Sequence, residues 1–115
     1  MNVKEFYESI NGDYQYALSI MMNDSLIERM IAKFMSNNSY QEMIDAYDKK
    51  DYASLFPLAH SFKGVTGNLA LTELYEISSA ITEATRNGAT PNLDNEIKAL
   101  KDRYQILENS YQKYR

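Results

Sequence analysis

Apolar residues in this chain recur at intervals of three and four, not two, and the breaks between runs carry Gly, Asn, Asp and Pro. That rhythm predicts helices, because side chains three and four apart share one face of a 3.6-residue turn. Residues 3–10 and 14–22 read as two short helical pieces broken at Asn11 and Gly12. Between residues 24 and 48 the stripe Leu26, Met30, Phe34, with Ile27 and Ile31 beside it, passes into Met43, Ile44 and Tyr47. Two helices or one bent helix fit this stretch. Ser25 with Glu28, and Ser39 with Glu42, have the spacing of a capping box, which satisfies free amides at a helix start.

Asp51 is a suitable N-cap for a helix over residues 52–68, and Thr72 for the next, whose stripe Leu74, Ile77, Ile81 and Ala84 ends at Asn87 and Gly88. Pro91 and Asn92 open the last helix. Its apolar positions Leu93, Ile97, Leu100, Tyr104, Leu107, Tyr111 and Tyr114 keep the spacing of a helix packed along a neighbour. Helices of this length with short connections turn back on one another. The prediction is an all-α, antiparallel up-and-down four-helix bundle over residues 24–114, with a short extra N-terminal helical piece, residues 3–22, across one end. The 115 residues make a single domain with room for one site.

Composition removes several kinds of chemistry. No cysteine occurs, so disulfides, thiolate nucleophiles and cysteine-held zinc are excluded, and one histidine cannot build a histidine-rich metal site. The net charge of -4, without a Lys/Arg cluster, argues against nucleic acid. No run approaches the roughly 18 apolar residues of a membrane span, and the start MNVKEFYESI lacks the form of a signal peptide. A cytoplasmic monomer that meets other proteins, with no membrane contact, metal or cofactor, is expected. Met1 and the lack of a linker favour a free-standing protein. The ten tyrosines and six methionines mostly fall on helical stripes, which makes them packing residues before ligand contacts.

One segment stands apart. On a helical wheel at about 100 degrees per residue, Leu55, Leu58, Phe62, Val65 and Leu69 share a core face, while His60, Lys63, Gly64 and Gly67 share the opposite one. Ala53, Phe56 and Pro57 extend that second stripe. Each glycine inside a helix costs roughly 1 kcal/mol relative to alanine, so two on one face imply a reason, and clearance beside an exposed imidazole is the simplest. Such an imidazole offers a neutral, nucleophilic nitrogen at pH 7, and Lys63 one turn on would offset the charge of a phosphoryl group placed there. Gly67 fits equally a helix loosening before Asn68. Phe56 either faces a partner or tucks into the bundle. Pro57 lies inside the helix if Asp51 is the cap, or in its first turn if Ser54 is.

From Ala59 to Leu74 the chain reads AHSFKGVTGNLALTEL. This segment resembles the signature of histidine phosphotransfer (HPt) domains, in which Ala-His is followed by Lys-Gly, small residues and a Gly-Asn-like turn into the next helix. The likeness extends upstream through NGDYQYALSIMMNDSLIERMIAKF and downstream through TEATRNG and the terminal stripe, so it covers essentially the whole chain. Ala70 stands where many members have glycine. Many members also carry Glu or Gln on the facing helix, bonded to the other ring nitrogen; the ungapped register puts Thr82 there, with Glu83 next and Ser79 one turn earlier. The resemblance implies a phosphocarrier without an ATP site, phosphorylated on His60 by the aspartyl phosphate of one receiver domain and discharged to the aspartate of another. The receiver, in a response regulator or hybrid sensor kinase, brings the magnesium ion and acidic pocket. Lys63 would offset phosphoryl charge, Gly64 and Gly67 would give clearance, Ala53, Phe56 and Pro57 would dock the partner, and Thr82, then Ser79, would hold the imidazole. The competing reading is an adaptor bundle that binds a receiver or kinase without carrying phosphate. An autonomous enzyme is disfavoured, because too few polar groups converge to build its site.

Overall fold

A computed structural model describes residues 1–114. Helix makes up 81% of it, and no strand occurs among the described residues. The helices are α1 (Val3–Ser9), α2 (Tyr14–Met21), α3 (Asp24–Met35), α4 (Ser39–Asp48), α5 (Tyr52–Asn68), α6 (Thr72–Thr85) and α7 (Asp94–Tyr114), with a 3-10 turn at Arg86–Gly88 after α6.

The breaks fall where the sequence places them, but asparagines do much of the capping. Asn23, not Ser25, caps α3, its side chain accepting from the Leu26 amide. The side chain of Asn37 accepts from both the amide and the hydroxyl of Ser39 at the start of α4. A capping box does form, at Asn2 and Glu5 of α1. Leu71 stands at the N-cap of α6 with no side-chain bond, so Thr72 is the first helical residue and not the cap. Asp51 caps α5 by accepting from the Ser54 amide at 3.2 Å, which leaves Pro57 exposed in the second turn, where it removes one backbone hydrogen bond. α7 begins at Asp94, whose amide donates to the Asn92 side chain.

Side-chain pairs give the directions of the helices. Phe34 meets Phe62 at 5.5 Å and Tyr47 meets Tyr52 at 6.2 Å, so α3 and α4 together run antiparallel to α5 as one leg interrupted at residues 36–38. Along that leg Tyr40 stacks on Tyr104 at 3.8 Å, and the Tyr47 hydroxyl donates to Asp94 at 2.6 Å while accepting from the Leu93 amide, which sets α7 antiparallel to it. α6 packs between α5 and α7. Four legs of alternating direction result, the up-and-down bundle expected.

α1 and α2 close the end of the bundle that holds the α5–α6 turn. The Tyr7 hydroxyl donates to the Leu69 carbonyl at 2.6 Å, and the Asp13 amide to the Ala70 carbonyl at 3.0 Å. Phe6 packs against Tyr111 and Tyr114 of α7.

α5 is rotated from the face that hydropathy predicts. Leu55, Phe62 and Leu69 are buried, but Val65 is 43% exposed and Leu58 half-buried, while Ala59 and Thr66 are fully buried. The buried arc is thus turned by about 40 degrees toward α6. The interface with α6 explains the turn. Thr66, Ser78, Thr82 and Thr85 line the buried faces of the two helices, each donating to a carbonyl one turn back in its own helix. Their hydroxyls are satisfied locally, so these small side chains act as packing residues.

Candidate functional site

The rotation of α5 puts Gly64 at its most solvent-facing point. A Cβ built there would meet nothing within 4 Å. His60 is exposed one turn before it, and Lys63 is half-buried on the α6 side of the stripe. These residues border an open groove of about 540 Å³ that runs toward the α5–α6 turn, where Asp13 at the N-cap of α2, Tyr16 of α2 and Tyr75 of α6 complete its walls.

Gly67 has a different use from the one expected. A Cβ there would lie 3.1 Å from the ring of Tyr75, so the clearance it gives is filled by a side chain of this same protein. Tyr75 lies over it, itself 39% exposed.

Toward the start of α5, Phe56 lies parallel to the His60 ring, with an interplanar angle of 9° and a centroid separation of 6.1 Å. The Arg86 guanidinium sits 5.5 Å from the centroid of Phe56. Ala53 and Pro57 are exposed and Phe56 is half-buried, so the three form the small apolar surface predicted beside the histidine, while Phe56 also packs against the site.

The facing helix departs from expectation. Thr82 is wholly buried and its hydroxyl donates to the Ser78 carbonyl at 2.7 Å, so it belongs to the interface and not to the imidazole. The Ser79 hydroxyl is buried with no hydrogen-bond partner. No hydrogen bond reaches the imidazole from any described residue. The polar group that α6 does present on this side is Glu83. Its carboxylate takes both Arg86 Nη2 at 2.8 Å and Nε at 3.2 Å. Arg86 chiefly, with smaller contributions from Lys63 and His60, holds the Glu83 carboxyl below the usual carboxylate range. Arg86 is the residue here that the sequence reading did not single out, and Glu83 entered it only as the neighbour of Thr82; the signal was their i, i+3 spacing, which lets the two pair on the helix surface.

The family model of the Hpt domain matches residues 26–110, nearly three-quarters of the chain. The chain belongs to the Hpt domain family. No curated protein and no solved structure matches it. Hpt domains have a phosphotransfer role in phosphorelays and act as phosphocarriers, not ATP-dependent enzymes; they interact with the receiver domains of phosphorelay proteins. No group of His, Asp and Glu suited to a metal ion occurs among the described residues, and none of their helices is long and apolar enough to cross a membrane.

Proposed function

We propose that this Hpt domain is a cytoplasmic intermediate of a multistep phosphorelay, taking a phosphoryl group on His60 from one receiver-domain aspartate and passing it to another. The observation that carries this reading is the exposed imidazole beside the open face of Gly64, with Lys63 one turn away. The lone pair of a neutral ring nitrogen attacks the phosphorus of the aspartyl phosphate. A P–N bond forms, the P–O bond to the aspartate breaks, and its electron pair stays on the freed carboxylate. The other ring nitrogen keeps its proton until water takes it. Discharge reverses the step onto the second aspartate.

The residues divide the work by position. Gly64 leaves the phosphorus an open approach in line with the nitrogen. Lys63 places an ammonium near the transferring oxygens, where it counters their charge. The ring of Phe56 lies parallel to the imidazole, and with Ala53 and Pro57 it gives the receiver a small apolar surface to sit on. Such an interface is at the low end of the usual size range, which suits a partner that must leave after each transfer.

The test is incubation with a phosphorylated receiver domain. Acid-labile, base-stable label is expected on the wild-type protein and none on His60→Gln, with the bundle still folded by circular dichroism. Undiminished label on the variant would sink the proposal. Receiver binding that survives in the variant, with no phosphohistidine on the wild type, would establish the adaptor reading instead.

A further inference from the structure

We infer that Glu83 limits how firmly His60 holds a phosphoryl group, its carboxylate opposing the added negative charge from across the α5–α6 interface. This rests on the phosphocarrier reading of His60. The register of the two helices carries it. Gly67 lies against Tyr75 and Phe56 beneath Arg86, so the antiparallel pairing brings the turn of α6 that holds Thr82 and Glu83 alongside His60. Thr82 turns into the interface, while Glu83, its exposed neighbour, pairs with the Arg86 that lies over the Phe56 ring beside His60.

Lys63 and Arg86 are the cations on this side and Glu83 the anion on α6, with Asp13 on the wall of the groove toward the α5–α6 turn. Arg86 is fixed both by the two-point contact with Glu83 and by the ring of Phe56. The lowered titration of Glu83 comes first from Arg86, and the smaller contributions of Lys63 and His60 show that it also shares a field with them. That coupling is reciprocal. A phosphoryl group adds close to two negative charges at the imidazole, which Glu83 opposes and Lys63 favours. Loss of the group breaks the P–N bond, returns its electron pair to the ring nitrogen, and places the phosphorus on water or on a receiver carboxylate. By disfavouring the loaded state, Glu83 makes both forms of discharge easier.

Phosphoramidate supplies the test, because it loads imidazole without any partner, its own P–N bond breaking as the nitrogen leaves as ammonia. After the donor is removed, the phosphohistidine resonance is followed by 31P NMR at low salt. Glu83→Gln should lengthen its lifetime by about threefold, the scale of one partly screened charge at this range. Glu83→Asp should restore near wild-type decay, and 1 M salt should erase most of the difference. An unchanged or shorter lifetime in Glu83→Gln, or a gain that persists in high salt, would overturn the role of Glu83 while leaving the phosphocarrier reading intact. A phosphohistidine signal absent from every protein would overturn both.

Discussion

Gly64 and Gly67 sit three residues apart on one stripe, yet alanine at each should act differently. At Gly64 the new methyl enters open space, so Gly64→Ala should raise stability by about 1 kcal/mol through helix propensity, seen as a melting temperature several degrees higher. The same methyl stands where the phosphoryl group and its donor approach, so transfer from a phosphorylated receiver should slow by about tenfold or more in quenched-flow assays. A more stable protein with unchanged transfer would show that the space is not used. At Gly67 the methyl presses on the Tyr75 ring at 3.1 Å, and the propensity gain should be offset by displacement of that ring. Lys63→Ala separates charge from space. No ion pair holds Lys63 among the described residues, so stability should change by less than about 0.5 kcal/mol, while transfer falls roughly ten- to a hundredfold. A large drop in melting temperature would mean that Lys63 has a structural role.

At the scale of elements, the α5–α6 turn and the α1–α2 turn are locked together. Ala70 holds a left-handed φ of 56°, while its carbonyl receives the Asp13 amide. A Cβ on Gly12 would stand 2.8 Å from the Tyr7 ring and 3.0 Å from that carbonyl. Ala70→Gly should therefore stabilise by about 0.5–1 kcal/mol, relief of the left-handed strain exceeding the added freedom of the unfolded chain. Gly12→Ala should destabilise by about 1–3 kcal/mol, because neither the Tyr7 ring nor the backbone carbonyl has room to yield. Urea unfolding of the two variants would measure both signs. These turns also mark how far the sequence could be read. Helices were visible because their apolar period is long and strong, and His60, Lys63 and Gly64 stood out because polar and flexible residues interrupted that period on one face. The rotation of α5 was hidden. It depends on Thr66, Ser78 and Thr82 serving as packing residues, and a hydroxyl satisfied by its own helix looks polar in any hydropathy pattern. The error at Thr82 followed from the same cause: an ungapped register names the position facing His60, but the packing of α5 on α6 decides which neighbouring side chain turns outward. Cap positions were missed because serine and asparagine cap equally well, and the tertiary path of the chain selects between them.

Across the whole molecule, tyrosines tie the legs and the N-terminal cover together, and this gives the protein a particular weakness to alkali. Tyr7 points inward from α1 with its hydroxyl on the Leu69 carbonyl, and burial pushes its titration far up. Burial likewise raises Tyr40 and Tyr104, stacked between α4 and α7, and Tyr47, which also donates to Asp94. Tyr114 is pushed up to about 12 by burial and by the nearby Glu28 carboxylate. In each case the folded state keeps a phenol proton that the unfolded chain releases near pH 10. Above that pH the unfolded state binds fewer protons than the native state, so unfolding free energy must fall as pH rises. Stability from these groups is complete below about pH 10 and drains away as pH climbs from there toward the raised native values. Thermal melts followed by circular dichroism should accordingly show a melting temperature that declines steadily from about pH 10 upward, with the exposed tyrosines ionising first and the last part of the tyrosinate absorbance appearing together with loss of helix. Tyr7→Phe supplies the internal control. It should lower stability at pH 7 by about 1–2 kcal/mol, because the Leu69 carbonyl loses its donor, yet flatten the alkaline decline by removing one buried phenol. A decline of the same steepness in this variant would show that Tyr7 is not among the groups whose ionisation opens the bundle.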